Sequence, residues 1–386
     1  MKVGILTFHS QLNYGGVLQT YALHEAIRGM GHEVVVIDRW LSETNRSLEL
    51  GFNRFGVAGW CNVCIRSLLG GWELRKFLRV QRTKSFIMGR MHLTPYHFVD
   101  WKEAPVNLGV DIIVVGSDQV WRCGVYSEPG PYLLEDAPNI PTISYAASFG
   151  MATLPNEQRA RYVCGLNRFK HISCRESEGV EICRNLSFDA EHVVDPVLLC
   201  EPQEWDQLIG AVTCAPDKRI VCYFMGDAVP EYLANLESFA CRSKAKIDVF
   251  LDGRFCVGIP RNVRQLISRY TRKIRLNVSA GPLEFVRAIK CADFIVTDSF
   301  HALMFAAIFK KDVRVLRPQD EMRRGMFPRI SEFCDRYVDG AVMVDGIDVA
   351  IGEYLAGRQV VYRSEELNAW RVKSKTWLQN VIADCE

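Results

Sequence analysis

The segment Phe294-Ile295-Val296-Thr297-Asp298-Ser299-Phe300-His301, followed by an apolar run up to Phe309, decides the fold of this chain. Its first four residues predict a buried strand, the next three are turn and N-cap residues, and the run from Phe300 predicts a helix. In open parallel sheets, ligands bind at the carboxyl ends of the strands. We therefore expect His301 to face a ligand crevice as a catalytic residue, with Ser299 contacting the substrate.

A second segment of the same kind lies near the beginning of the chain. Residues 3–8 predict a strand, and Asn13-Tyr14-Gly15-Gly16 begins a helix. Glycine allows the backbone to approach a ligand closely, so we predict that Asn13, Tyr14, Gly15 and Gly16 bind substrate. The spacing does not match the GxGxxG pattern, which leaves dinucleotide binding with little support.

Strand and helix patterns alternate through both halves of the chain. Residues 3–8, 33–38, 111–116, 142–145, 171–174 and 192–194 predict strands in the first half, and residues 219–225, 246–251, 274–278, 293–297 and 313–316 predict strands in the second. Such alternation is typical of parallel sheets covered by helices. The sequence thus predicts an α/β fold with two Rossmann-like domains that face a central cleft.

The domain boundaries are predicted from breaks in these patterns. The first domain, on the acceptor side, is predicted to span residues 1–200, with a helical insertion at about 41–100. The second domain, on the donor side, is predicted to span 201–363. Residues 364–386 predict a C-terminal helix with Ser364 as its N-cap, able to cross back over the cleft.

The insertion carries a strongly basic, amphipathic stretch. Its basic residues are Arg66, Arg75, Lys76, Arg79, Arg82, Lys84 and Arg90, against the single acid Glu73, interleaved with leucine, phenylalanine and tryptophan. Two interpretations remain open. One is an ordinary solvated helix face. The other is a basic lid that contacts anionic lipid or a lipid-linked substrate at the inner membrane surface.

Composition excludes several classes of function. The chain has 386 residues, 48% hydrophobic residues and a formal net charge of +2. This nearly neutral charge does not indicate a basic surface for binding nucleic acid, and no nucleic-acid-binding motif is present. A core strand follows Met1 directly in place of a signal peptide, and no apolar run approaches the roughly 20 residues of a membrane span. We expect a cytoplasmic protein.

The fourteen cysteines predict reduced thiols, since most lie in apolar segments, as Cys174, Cys222 and Cys291 do. Cys61 and Cys64 form a CxxC pair without a second pair or zinc-spaced histidines. They are therefore interpreted as two cysteines on a helix. No metal-ligand cluster is apparent, and no metal is predicted.

Six short segments carry a resemblance to a known family. They are Asn13-Tyr14-Gly15-Gly16-Val17-Leu18-Gln19, Val115-Gly116-Ser117-Asp118-Gln119-Val120-Trp121, Tyr145-Ala146-Ala147-Ser148-Phe149-Gly150, Arg175-Glu176, Asp195-Pro196-Val197 and Thr297-Asp298-Ser299-Phe300-His301. In this order they resemble the polysaccharide pyruvyl transferase family, whose members attach pyruvate from phosphoenolpyruvate as a ketal to sugars of surface polysaccharides. The chain departs from the family pattern at Ala302, where glycine usually stands, and at Arg122, where asparagine is frequent.

The resemblance implies a GT-B-like fold and roles for individual residues. His301 is expected to act as general acid, or as acid and base in turn, because imidazole exchanges protons near neutral pH. Arg175 is expected to bind an anion, and Arg329 to contact phosphate. Asp118 is expected to accept or hold the acceptor hydroxyl, with Ser117 and Gln119 as substrate-binding neighbours.

Each of these roles has a plainer alternative. His301 would be a buried structural histidine, Arg175 a surface salt bridge, and Asp118 a helix N-cap. The expected partners are phosphoenolpyruvate as co-substrate, without a further cofactor, and a glycan acceptor linked to polyprenyl diphosphate. Two alternative functions remain open: a sugar-nucleotide-dependent GT-B glycosyltransferase and a non-catalytic glycan-binding protein.

Overall fold

The computed structural model describes residues 1–40, 72–123, 129–214, 216–225, 232–233, 235–236, 239–240, 245–251, 274–318 and 327–386. Cys61 and Cys64 lie outside the described residues, and so does the N-terminal part of the basic segment, including Arg66. The interpretations of those residues stay predictions.

The first half is built on a five-stranded parallel sheet. Its strands are β1 (Lys2–Leu6), β2 (Glu33–Arg39), β3 (Leu93–Phe98), β4 (Ile112–Val115) and β5 (Thr142–Ser144). They lie in the order β3-β2-β1-β4-β5, and every pair is parallel. The β-branched run of β4 is buried throughout, as in a parallel sheet covered on both faces. Two short strands, β6 (Ser173–Cys174) and β7 (Glu191–His192), pair beside this sheet.

The second half is built on a six-stranded parallel sheet. Its strands are β8 (Arg219–Phe224), β9 (Lys246–Leu251), β10 (Ile274–Leu276), β11 (Phe294–Thr297), β12 (Asp312–Leu316) and β14 (Met343–Val344). They lie in the order β10-β9-β8-β11-β12-β14. A small antiparallel pair, β13 (Val338–Asp339) and β15 (Val361–Tyr362), stands apart from it. Two parallel sheets with connecting helices confirm the predicted α/β class with two Rossmann-like units.

Helices connect the strands and cover the sheets. Those of the first half are α1 (Tyr14–Arg28), α2 (Trp72–Arg90), α3 (Arg159–Leu166) and α4 (Ser177–Asn185). Those that follow are α5 (Pro202–Ile209), α6 (Pro282–Lys290), α7 (Phe300–Ile308), α8 (Pro328–Tyr337), α9 (Ile347–Leu355) and α10 (Ser364–Ala383). All nine residues of α7 are buried, and all of them except His301 are apolar, as expected for a helix surrounded by the core.

The predicted insertion at 41–100 is wrong at its C-terminal end. Residues 93–98 form the strand β3, which pairs with β2 at the edge of the first sheet and continues it. Pro95 and the exposed His97 interrupt the strand pattern in the sequence. An edge strand tolerates proline because one side of its backbone has no partner strand.

Helix α2 joins the two halves through Arg79. This side chain is fully buried, and its guanidinium donates to the carbonyl oxygens of Leu12 at 2.7 Å and Leu251 at 2.8 Å. The same guanidinium lies 4.3 Å from the centre of the Tyr14 ring. Arg79 therefore faces the protein interior and is not available to a membrane surface, contrary to the lid interpretation for this residue.

The C-terminal helix α10 contacts the first half. The hydroxyl of Ser374 accepts a hydrogen bond from the backbone N–H of Val194 at 3.0 Å, and the indole of Trp370 donates to the carbonyl of His192 at 3.3 Å. Asp384 pairs with His171 at 2.8 Å just beyond the helix. The end of the chain thus packs against β7 and the residues around it.

The prediction of reduced thiols is wrong for Cys291, which forms a disulfide with Cys214. Cys291 lies at the end of α6 and Cys214 lies after α5, with their Cα atoms 5.2 Å apart. The apolar neighbours of a cysteine in the sequence do not show which distant cysteine lies beside it in the fold. None of the described helices is both long and apolar enough to span a bilayer.

Candidate active site

The predicted catalytic residues meet where strands of both halves end. Asp118 follows β4, Arg175 follows β6, and His301 lies in the first turn of α7 after β11. Parallel strands bring their carboxyl ends to one edge of a sheet, and the two sheets direct these edges toward each other here.

The first turn of α1 forms one wall of the site. Asn13 caps this helix by accepting a hydrogen bond from the N–H of Gly15 at 2.8 Å. A Cβ atom on Gly15 would lie 2.1 Å from Nδ1 of His301, and one on Gly16 would lie 3.7 Å from Oδ2 of Asp118. Gly15 therefore leaves the space that the imidazole occupies, whereas the nearest atom to a Cβ on Gly16 would be the carbonyl oxygen of Phe8 at 3.0 Å.

Arg175 is the centre of a buried charge network. Its Nη1 donates to Oδ2 of Asp195 at 3.0 Å, and its Nη2 donates to Oδ1 of Asp118 at 3.3 Å. Only 3% of the residue is exposed, so the structure does not place it in a surface salt bridge. Burial by itself lowers the pKa of Arg175, but the charges of Asp118 and Asp195 outweigh this effect and raise it.

Asp195 connects Arg175 to His301. Its Oδ2 lies 3.5 Å from Nε2 of His301, and its Oδ1 accepts from the N–H of Val197 at 3.1 Å. Burial raises the pKa of Asp195, but the charges of His301 and Arg175 more than offset this and bring it to about 2. Asp195 is therefore a fixed negative charge beside the imidazole.

Asp118 has an unusual backbone conformation. Its φ of 71° lies in the left-handed region, which a non-glycine residue seldom adopts. Burial raises the pKa of its carboxyl, and the charges of Arg175, His301 and Arg329 overcome this and lower it. Asp118 precedes no α-helix that it could cap, so the N-cap alternative does not apply to it.

Arg329 approaches the same network from the start of α8. Its guanidinium carbon lies 5.3 Å from the centre of the Phe300 ring, and that of Arg175 lies 5.0 Å from the same ring. Burial and the charge of Arg175 lower the pKa of Arg329 to about 10. Among the residues that the structure describes, the buried Nε and Nη1 of Arg329, and Nε of Arg175, have no hydrogen-bond partner. A small cavity lined by Arg175, Asp195, Phe300 and Arg329 adjoins these nitrogens.

The other predicted binding residues have structural contacts. Tyr14 is not brought together with the other predicted residues: its ring stacks on Phe285 at 4.6 Å and its hydroxyl donates to the carbonyl of Ala280. The hydroxyl of Ser117 donates to the carbonyl of Ala146. Gln119 accepts from Arg122 at 3.2 Å, and Ser299 begins α7 without a side-chain capping bond.

Sequence reasoning did not assign roles to Asp195, Glu176 and Phe300. Glu176 accepts the N–H of Phe149 at 3.0 Å, and its other oxygen lies 3.8 Å from Nε of Arg175. Asp195 and Glu176 belong to two of the quoted motifs, Asp195-Pro196-Val197 and Arg175-Glu176. Each of the two is a charged residue inside one of these motifs, and this is the feature of the sequence that could have identified it.

The arrangement supports proton transfer and anion binding. An imidazole with a neighbouring carboxylate can donate and accept protons near neutral pH. Two guanidiniums beside one aromatic ring can bind an anion with several oxygens. Within the described ranges, no three His, Cys, Asp or Glu side chains are grouped to hold a metal ion.

Comparison with known families gives one match. A model of the family described as polysaccharide pyruvyl transferase matches residues 13–320, which is more than half of the chain. No curated protein sequence matches significantly.

Solved structures of other enzymes share the fold. The UDP-N-acetylglucosamine 2-epimerase of Rickettsia bellii superimposes with a TM-score of 0.55 and 11% identity, covering 100% of this chain and 96% of its own. The putative UDP-N-acetylglucosamine 2-epimerase of Listeria monocytogenes gives a TM-score of 0.52 and 10% identity, covering 92% of this chain and 87% of its own. The UDP-GlcNAc 2-epimerase of Neisseria meningitidis gives 0.50 and 12%, covering 100% and 99%. These similarities confirm the predicted GT-B-like fold.

Proposed function

The chain belongs to the polysaccharide pyruvyl transferase family, and from this premise we propose that it transfers the enolpyruvyl group of phosphoenolpyruvate to a sugar of a glycan acceptor, forming a pyruvate ketal. The acceptor is proposed to be linked to polyprenyl diphosphate and to be modified at the cytoplasmic face of the membrane. No cofactor other than the co-substrate is assigned.

The observation that carries the proposal is the pair of guanidiniums beside Phe300. The carboxylates of Asp118 and Asp195 pair with Arg175, while the guanidinium of Arg329 is disfavoured by burial and by the charge of Arg175. Within the described residues, three buried guanidinium nitrogens of this pair have no hydrogen-bond partner: Nε of Arg175, and Nε and Nη1 of Arg329. Phosphoenolpyruvate carries both a phosphate and a carboxylate, and such oxygens would satisfy these donors.

His301 is assigned the proton that the donor requires. The imidazolium gives its proton to the methylene carbon of the enol, and the neighbouring carbon accepts a sugar hydroxyl. The bond from that carbon to the phosphate oxygen then breaks and releases phosphate. A second hydroxyl closes the ketal ring and gives its proton to the imidazole. Oδ2 of Asp195 lies 3.5 Å from Nε2 of this ring.

Asp118 is assigned to the acceptor side. Its carboxylate lies next to the first turn of α1, where a Cβ atom on Gly16 would lie 3.7 Å from Oδ2. The pKa of this carboxyl is lowered, so it is ionised and able to hold the attacking hydroxyl or accept its proton.

The direct test is a reaction with candidate acceptors. The protein is incubated with phosphoenolpyruvate and a panel of lipid-linked sugars, and mass spectrometry and a phosphate assay follow the products. We expect a pyruvylated sugar and one phosphate per ketal, with neither from His301→Ala. Thermal-shift measurements with phosphoenolpyruvate and with nucleoside diphosphate sugars accompany this test. Stabilisation by the nucleotide sugars alone would favour a glycosyltransferase and contradict the proposal.

A further inference from the structure

A groove of about 870 Å³ runs along the edge of the second sheet. Strands β9 and β10 form its floor, and helices α2 and α6 form parts of its walls. Ser279 and Ala280 lie at one end, and Cys291 and Thr213 lie at the other. It does not include His301, Arg175 or Arg329, so it is distinct from the cavity beside Phe300.

The basic stripe of α2 faces this groove. Arg75, Arg79 and Arg82 are spaced by four and three residues, which places them on one face of the helix. Arg79 enters the core, while Arg75 and Arg82 line the groove on either side of it. Arg82 is held there by a hydrogen bond to the carbonyl of Ser279 at 2.8 Å. The stripe thus points toward the second half of the molecule.

Basic side chains outnumber acidic ones along the groove. The basic residues are Arg75, Arg82, Arg219, Lys246, Arg275 and Arg287, and the acidic residues are Asp248 and Glu284. Asp248 pairs with Arg275 at 2.6 Å and lies 3.8 Å from Arg219, and Glu284 lies 3.5 Å from Arg82. Lys246 pairs with Asp217 outside the lining. The excess positive charge is complementary to an anion with more than one charge.

One end of the groove lies close to the wall of the candidate site. The carbonyl of Ala280 accepts a hydrogen bond from the hydroxyl of Tyr14 at 3.0 Å, and the next residue, Gly15, contacts His301. The donor is assigned to the guanidiniums of Arg175 and Arg329, which do not line the groove. A groove of this volume fits a longer ligand, whose end reaches toward α1.

We propose that the groove binds the diphosphate-bearing end of the glycan acceptor. This inference rests on the proposed function and assigns the second substrate a place outside the buried charge network. The guanidinium and ammonium groups contact the diphosphate, and the sugars extend past Ala280 toward Asp118 and His301. Such charge-assisted contacts determine both the affinity and the direction of the bound chain.

Farnesyl diphosphate is a suitable probe, because it carries a diphosphate on an isoprenoid. Calorimetry measures its binding to the wild type, to Arg75→Glu/Lys246→Glu, and to the matched control Arg90→Glu/Lys102→Glu. The control also reverses one arginine of α2 and one exposed lysine that has an aspartate partner, Asp136. We expect the groove variant to bind at least about tenfold more weakly and the control to bind like the wild type. The single variant Arg75→Glu, whose change breaks no ion pair described here, should lose part of this affinity.

Several results would overturn the proposal. These are no binding of farnesyl diphosphate, an equal loss in both double variants, or binding of inorganic pyrophosphate as tight as that of farnesyl diphosphate, which would indicate a site for the free anion. Phosphoenolpyruvate should stabilise the groove variant as it stabilises the wild type. If it does while farnesyl diphosphate does not bind, the groove assignment fails and the proposed function stands. If farnesyl diphosphate binds as expected and phosphoenolpyruvate never does, the proposed function fails instead.

Discussion

Gly15 in the first half and His301 in the second half are in direct contact, and a Cβ atom on Gly15 would lie 2.1 Å from Nδ1 of the imidazole. The atom nearest to a Cβ at residue 15 would therefore be a ring atom of the proposed catalytic residue, and not the flexible end of a surface side chain. The position of the imidazole depends on the absence of a side chain at residue 15.

Replacing Gly15 with alanine should displace His301 and reduce turnover. Alanine favours a helix by about 1 kcal/mol over glycine, so helix propensity does not oppose the change. We expect kcat to fall at least about 100-fold, because a misplacement of about 1 Å already has effects of this size. Steady-state kinetics with phosphoenolpyruvate and an acceptor would measure it.

The matched control is Gly89→Ala, also within a helix. A Cβ atom there would meet nothing within 4 Å, so activity should not change. Full activity of Gly15→Ala would show that the imidazole can move without consequence, which contradicts the role given to His301.

Arg329→Met should stabilise the protein without ligand and weaken its binding of phosphoenolpyruvate. The guanidinium of Arg329 is disfavoured by burial and by Arg175, which together lower its pKa to about 10. Without ligand, the variant should be more stable than the wild type by on the order of 1 kcal/mol. With phosphoenolpyruvate, the stabilisation seen for the wild type should disappear, as thermal unfolding with and without the ligand would show.

Arg358→Met provides the comparison for this variant. Arg358 does not line the cavity beside Phe300, and its side chain is about two-thirds exposed and paired with Glu353 at 2.9 Å. It should keep the stabilisation by phosphoenolpyruvate. The assignment of Arg329 would be wrong if both variants kept it equally.

Arg79→Met should destabilise the contact between the two halves. The substitution leaves the carbonyls of Leu12 and Leu251 without the donors that satisfy them. Each buried acceptor left without a partner costs about 1–3 kcal/mol, so the melting temperature should fall by several degrees. Arg82→Met, at a side chain about 43% exposed, should have a much smaller effect on thermal unfolding. Similar melting temperatures for the two variants would contradict this account of Arg79.

Most of the fold could be predicted from the sequence because buried parallel strands have distinct apolar runs. The strand before His301 is an example, with all four residues of β11 buried. The strand β3 was missed because Pro95 and His97 interrupt the pattern at a sheet edge. The disulfide between Cys214 and Cys291 was missed because 77 residues separate its cysteines.

The candidate site was predictable in part, for a similar reason. Asp118, Arg175 and His301 each follow a strand, and the carboxyl ends of parallel strands meet. Tyr14 lies in the same first turn of α1 as Gly15, yet its ring stacks on Phe285. The direction of a side chain depends on packing between distant segments. That information is absent from the spacing of residues along the chain.

Asp195→Asn should weaken the dependence of stability on acid pH. The pKa of Asp195 is lowered from 3.8 to about 2, because the charges of His301 and Arg175 outweigh the effect of burial. As the pH falls below about 4, the unfolded chain takes up a proton at this residue before the folded chain does. The contribution of Asp195 is thus complete above pH 4 and is lost as the pH approaches 2. It amounts to roughly 2 kcal/mol.

Melting temperatures measured between pH 5 and 2 should decline less steeply for Asp195→Asn than for the wild type. Asp217→Asn, which removes an exposed carboxylate paired with Lys246, should follow the wild type closely, since exposed pairs contribute little. Parallel curves for all three proteins would mean that Asp195 does not carry the charge assigned to it beside His301.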